Sequence, residues 1–180
     1  MTARRAPVPL PDPPLADGSL LLRPWQDADA PALVAAWADP EIARWTGVPP
    51  QPTASTALGW IRGDADRRAR GLSLDLVLDV DGAIAGEVGL VDIDVAARAA
   101  EIGWWIAPGH RGRGLATRAA ALVAAWAVED LCVDTVLARC ARANPPSGAV
   151  ARAAGFALDA DTGGSQLWRF SPSSGATLGA

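Results

Sequence analysis

The run Arg111-Gly112-Arg113-Gly114-Leu115-Ala116 is where this sequence comes closest to a chemical device. It follows an apolar strand-like segment broken at Pro108-Gly109, and it opens a helical pattern with Leu115, Ala119, Leu122, Val123 and Trp126 on one stripe. The first N–H groups of a helix have no internal partner, and the helix dipole adds partial positive charge there. Glycines let an anion approach that backbone closely, and Arg111, Arg113 and Arg118 add guanidinium charge. Together these features describe a pyrophosphate site; the plainer reading is a glycine turn that merely starts a helix. Two nucleotide loops fit poorly. A P-loop needs a Lys-Ser/Thr pair, but all 16 basic residues here are arginine. A Rossmann GxGxxG loop would need glycine where Thr117 stands.

The bulk of the chain narrows the classes further. A length of 180 residues with 50% hydrophobic content suits one globular domain with a real core. The formal net charge of −4 argues against a broad grip on nucleic acid. No apolar run approaches the ~20 residues of a membrane span, and the Pro-studded start, Met1 to Asp17, lacks the apolar block of a signal peptide. The expectation is therefore a cytoplasmic protein that binds neither nucleic acid nor membrane. Cys132 and Cys140 read as reduced core residues. With His110 the only histidine, a histidine-rich metal site and a Ser-His-Asp triad are hard to build, and no metal is expected.

The elements that must hold the loop are legible from periodicity. Leu20–Trp25 reads as a strand, and Asp29 as the cap of a helix with Pro31 in its first turn. Thr53 opens a second helix ending in Arg67, Arg68 and Arg70. Leu72 to Val80 alternates with a period of two, Asp81-Gly82 makes a tight turn, and Ala83–Ile93 returns as its partner. Ala99–Ile106 is the strand before the glycine loop, and Thr135–Ala141 the strand after the long helix. So short a connection implies a βαβ crossover joining parallel strands. A short helix from Asn144 stops at Gly155, and a hairpin across Thr162-Gly163-Gly164 closes the domain. Residues 1–18 read as a flexible Pro-rich segment, 19–170 as the domain and 171–180 as a flexible tail.

Arg111-x-x-Gly114-x-Ala116 resembles the pyrophosphate signature (Arg/Gln)-x-x-Gly-x-(Gly/Ala) of the GNAT superfamily of acyl-CoA-dependent N-acyltransferases. Ala100-Glu101-Ile102-Gly103-Trp104-Trp105-Ile106, Leu22-Arg23-Pro24, Ala85-Gly86-Glu87-Val88-Gly89-Leu90, and Asn144-x-x-Ser147 with Gly155-Phe156 are similar, in order, to its RimJ/RimL-type branch. The resemblance implies an α/β fold: a mixed, mostly antiparallel sheet flanked by helices, with Ala99–Ile106 and Thr135–Ala141 as a splayed parallel pair. It also implies acetyl-CoA as co-substrate. Its pantetheine arm would lie near Trp105, Ile106 and Asn144, and its pyrophosphate against Arg111, Gly112, Arg113, Gly114, Leu115 and Ala116. The acceptor would be an amine on a protein N-terminus or a small molecule. A homodimer is compatible with that class, and a non-catalytic acyl-CoA-binding module is the rival reading.

Acyl transfer from a thioester needs a neutral amine, a polarised carbonyl and a protonated leaving thiolate. Many members of the family protonate the thiolate with a tyrosine in the last helix, but this chain has no tyrosine. Ser147 is the next candidate acid, with a helix-cap or first-turn serine as the alternative. Glu101 is the candidate base, since some members carry a catalytic glutamate there. Alternation puts it with Gly103 and Trp105 on one face, and a strand carboxylate holding an arginine is its other reading. Trp45 and Trp105 are candidate walls of the acceptor pocket, whereas Trp37, Trp60 and Trp126 read as core.

Overall fold

The structure is a computed structural model and describes residues 6–94 and 96–171. Eight strands form one sheet: β1 (Ala16–Asp17), β2 (Leu20–Pro24), β3 (Ser73–Val80), β4 (Ala83–Asp94), β5 (Ala99–Ile106), β6 (Thr135–Ala141), β7 (Ala157–Thr162) and β8 (Ser165–Phe170). Their spatial order is β1-β2-β3-β4-β5-β6-β8-β7. All neighbours are antiparallel except β5 and β6, which are parallel and joined by helix α5 (Leu115–Glu129). The expected mixed sheet with one parallel pair is therefore what forms.

Strand alternation divides the sheet into two faces. Leu74, Leu76, Leu78, Val88, Leu90, Ala100, Ile102, Val136 and Ala138 point into the larger core, where α5 supplies Leu115, Ala119, Val123 and Trp126. Helix α6 (Pro145–Ala153) adds Ala151 to that face. The opposite face is smaller. There Trp25, Val77 and Trp105 meet Leu33 and Trp37 of α1 (Ala30–Trp37), Ile42 of α2 (Pro40–Trp45), and Ala57 and Ile61 of α3 (Ala54–Arg62). Helix α4 (Asp64–Ala69) leads into β3.

Local signals explain most boundaries. Thr53 and Thr56 exchange side-chain and backbone bonds in a capping box that starts α3. At the end of α6, Gly155 has φ +93°, its N–H reaches Arg152 O, and Phe156 N–H reaches Ala151 O at 3.0 Å. That 6→1 and 5→2 pairing is a Schellman motif, which a glycine at C′ permits.

Several expectations are corrected. Asp29 precedes α1 but makes no capping bond; its carboxylate instead takes the Arg23 guanidinium at 2.7 Å and the Gln26 N–H at 2.8 Å. The second helix is two short ones, α3 and α4, and α2 was missed between Asp39 and Thr46. Its start is signalled by Asp39-Pro40: Asp39 accepts the Ile42 N–H at 3.0 Å, and proline tolerates the first helical position. Cys140 is buried as expected, but Cys132 is exposed, in a turn after α5. Over its described residues the N-terminal segment lies on the body of the domain: Val8 is buried and its N–H meets Arg68 O at 2.9 Å, and Ala16–Asp17 pairs with β2. The expected tail lies, beyond residue 171, outside the described residues.

Candidate active site

Pairing between β5 and β6 is recorded only from Ala99↔Thr135 to Ile102↔Ala138. Past that point β5 remains paired with β4 through Ile106 and β6 with β8 through Ala141, so the two strands separate. A strand edge without a partner presents free N–H and C=O groups. The V between these edges holds a cavity of about 310 Å³, lined by Ile102, Gly103 and Trp104 on one side and Ala138, Arg139 and Cys140 on the other. It shares Trp45, Thr46, Trp104, Asn144 and Ser147 with a larger cavity of about 560 Å³. The larger one is walled by Trp105, Ile106, residues 110–117 and the α2 residues Glu41, Ile42 and Trp45. Such a volume is in the range of small-molecule sites.

The glycine loop forms one end of the larger cavity. Gly112 and Gly114 both adopt left-handed backbone, φ +72° and +71°, which is why glycine is needed there. A Cβ at either would meet no atom within 4 Å, so open space lies above the loop. Successive amides turned this way, beside the free N–H groups of the α5 first turn, form an anion-binding concavity.

The arginines divide differently from expectation. Arg111 Nη2 is held by Asp39 Oδ1 at 2.6 Å and its Nε donates to Ile106 O at 3.1 Å, so this side chain ties the loop to α2. The neighbouring guanidinium and the Ile42 N–H hold the Asp39 carboxyl below the usual carboxylate range, against the opposing effect of desolvation, which is the largest single influence. Arg118 is bound to the Asp17 carboxylate and its carbonyl. Arg113 meets His110 Nδ1 at 3.2 Å and pairs with no carboxylate among the described residues. Its charge, with the loop amides, faces the open space. A pyrophosphate would find two glycine-cleared amides, a helix N-terminus and one uncommitted guanidinium, so the residues present fit that group.

The other sequence candidates come together only in part. Trp45, Trp105, Ile106, Asn144 and Ser147 all line the larger cavity. Asn144 occupies the N-cap of α6 without a side-chain capping bond. Ser147 stands in the first turn of α6, with Asn144 at the cap; its Oγ donates to Cys140 Sγ at 3.3 Å, and burial pushes the Cys140 thiol up in pKa. Glu101 shares a face with Gly103 and Trp105 as expected, but it lines neither cavity and its Oε2 lies 3.3 Å from Arg139 Nη2. Trp37 and Trp126 are buried core, while Trp60 is half-buried between Trp37 and the Arg67 guanidinium.

Sequence reading missed Glu87. This half-buried β4 carboxylate accepts the Trp25 indole N–H at 2.7 Å and the Trp105 indole N–H at 3.1 Å, beneath two stacked indole rings 6.3 Å apart. Burial, reinforced by the nearby negative charge of Asp75, pushes its carboxyl up to about 7, although both indole bonds oppose the rise.

The family profile of the acetyltransferase (GNAT) domain matches residues 19–157. The chain belongs to the GNAT acetyltransferase family. Among named relatives, the Bacillus subtilis (strain 168) protein YdaF is 35% identical over 97 residues, which is 54% of this chain. The match spans about half of YdaF, 51% of its length. Solved GNAT-like structures agree in fold. RimJ of Mycobacterium smegmatis, solved with a CoA disulfide, superposes with a TM-score of 0.76 at 23% identity over 85% of this chain and 82% of that one. The microcin C7 self-immunity acetyltransferase MccE, solved with acetyl-CoA and AMP, gives 0.76 at 19% identity over 86% and 93%. This GNAT chain thus shares their overall fold.

Proposed function

We propose that this chain is an N-acetyltransferase that moves the acetyl group of acetyl-CoA onto a primary amine, carried by a protein N-terminus or a small molecule. The observation that carries the reading is the V between β5 and β6 running into a cavity that ends on the Gly112–Gly114 loop. A long molecule with an anionic end and a peptide-like arm matches that shape. In this reading the amides from Arg111 to Ala116 and the Arg113 guanidinium hold the pyrophosphate. The unpaired edge of β5 at Trp105 and Ile106, with Asn144 across the V, takes the pantetheine amides. The thioester then lies near Ser147, whose hydroxyl can give a proton to the departing thiolate while the α6 N-terminus offsets its charge. Trp45 closes the acceptor side. A single domain, residues 19–170, carries the activity, and we place it in the cytoplasm.

The test is steady release of free CoA from acetyl-CoA, followed with a thiol reagent in the presence of a mixed pool of primary amines, with mass spectrometry of the products. Amine-dependent release with an acetylated product supports the reading. Tight acetyl-CoA binding without release from any amine would assign the chain to the non-catalytic module instead.

A further inference from the structure

Register places nine residues of β3, β4 and β5 on the face opposite the large core, in three rows: Ser73, Val91 and Glu101; Asp75, Gly89 and Gly103; Val77, Glu87 and Trp105. The middle row carries no side chain at two of its three positions, and at one of them, Gly103, the sheet is bare. A Cβ on Gly103 would meet nothing within 4 Å, and Gly103 lines the cavity in the V. At the other end of the row the Asp75 carboxylate leans over Gly89, its Oδ1 3.0 Å from where a Cβ would stand. Glu87 sits one step diagonally from Gly103, a spacing that long side chains span.

Three carboxylates stand on this face, and two of them are paired with arginines. Asp75 is held by Arg67 Nη2 at 3.3 Å and by the Ser73 hydroxyl at 2.8 Å, and Glu101 is held by Arg139. Among the described residues Glu87 is bonded only to indole N–H groups, which orient it without neutralising it. From the helices covering this side, Leu33, Trp37 and Ile61 present apolar surface and Arg67 of α4 the nearest cation. A carboxyl so placed keeps its proton to higher pH than an exposed one, and an acceptor amine, which reaches the enzyme protonated, needs a base of that kind.

We propose that Glu87 receives the proton that the acceptor ammonium sheds, from an amine seated over the Gly103 depression beside the thioester. This rests on the N-acetyltransferase reading. An N–H bond of the ammonium breaks and its proton passes to a Glu87 oxygen, leaving the nitrogen lone pair free to attack the thioester carbonyl. The C–N bond forms, the C–S bond breaks, and CoA departs as a thiolate that is protonated in turn. Glu87 then returns its proton to solvent. Trp25 and Trp105 hold the carboxylate in place.

The experiment compares wild type, Glu87→Gln and Glu87→Asp on one amine that the wild type acetylates. It records kcat/KM from pH 5 to 9, acetyl-CoA affinity by calorimetry and the thermal midpoint. Glu87→Gln is expected to lose ~10²–10⁴-fold in kcat, to lose the acidic limb near pH 7, and to bind acetyl-CoA within about twofold of wild type. Glu87→Asp keeps a carboxyl drawn back by one methylene, so it retains the limb at reduced kcat, and it decides the matter if the glutamine variant does not fold. A folded Glu87→Gln with the wild-type limb, or with kcat within threefold, overturns the proposal while leaving acetyltransferase activity intact. A wild type that binds no acetyl-CoA overturns both.

Discussion

Replacing Gly114 with valine separates the backbone demand of the loop from its ligand role. Gly114 sits at φ +71°, and an L-residue pays roughly 1–2 kcal/mol to adopt left-handed backbone. No steric cost adds to that from the Cβ itself, because it would meet nothing within 4 Å. For a domain of this length each kcal/mol lowers the thermal midpoint by roughly 2–4 °C, so Gly114→Val should melt about 2–8 °C below wild type. Binding should suffer more. The valine methyls occupy the space through which an anion reaches the first-turn amides of α5, and losing one hydrogen bond to a charged group costs about 1.5–3 kcal/mol, or ~10–150-fold in acetyl-CoA affinity. Gly109→Ala is the control, since Gly109 has no positive φ and open space at Cβ. Calorimetry on the two folded variants reads the difference. An acetyl-CoA affinity for Gly114→Val equal to that of Gly109→Ala would refute the assignment of the loop to phosphate.

Arg113→Gln should weaken acetyl-CoA about tenfold and flatten the salt dependence of binding, whereas Arg118→Gln, whose charge is already met by Asp17, should change affinity less than threefold; titrations at two ionic strengths check both. Ser147→Ala should lower kcat at least tenfold with little change in the KM for acetyl-CoA, and an unchanged kcat would leave the hydroxyl with Cys140 as a structural contact. Asp39→Ala removes the α2 cap and the Arg111 anchor together, so chemical denaturation should show about 1–2 kcal/mol of lost stability. Because the folded-state pKa of Glu87 is raised, the folded protein binds the extra proton between the ordinary glutamate pKa and about 7. Stability should therefore fall as pH rises through that window, and Glu87→Gln should lack that fall.

How far the site was legible depends on what each residue type can disclose. The strand–glycine–helix order at Ile106 to Leu115 is local chemistry, and it located the loop and the parallel strands around it. Alternation correctly placed Glu101, Gly103 and Trp105 on one face, because a period of two is a property of the strand alone. It could not show that Arg139, far along the chain, would occupy Glu101. Charge counting likewise could not show that Asp39 and Asp17 would hold Arg111 and Arg118 across long sequence separations. Helix α2 is short and lacks a clear apolar stripe, so only Asp39-Pro40 announced it. Glu87 stands in Gly86-Glu87-Val88-Gly89, where a strand carboxylate looks solvent-facing. Its environment is made by Trp25, Trp105 and Asp75 from three other segments, which strand pairing alone brings together. Glycine was the available signal: Gly103, on the neighbouring strand, leaves open space diagonal to that carboxylate.

The claim that the V between β5 and β6 and the Gly112–Gly114 loop form one acyl-CoA site is tested most directly by a crystal structure of the wild-type protein grown with acetyl-CoA. The account predicts the pyrophosphate on the amides from Arg111 to Ala116 with Arg113 against it, and the pantetheine arm between Trp105–Ile106 and Asn144. The thioester should lie within reach of Ser147 and of the Gly103 depression. Acetyl-CoA bound elsewhere on the surface, with the V and the loop empty, would contradict it.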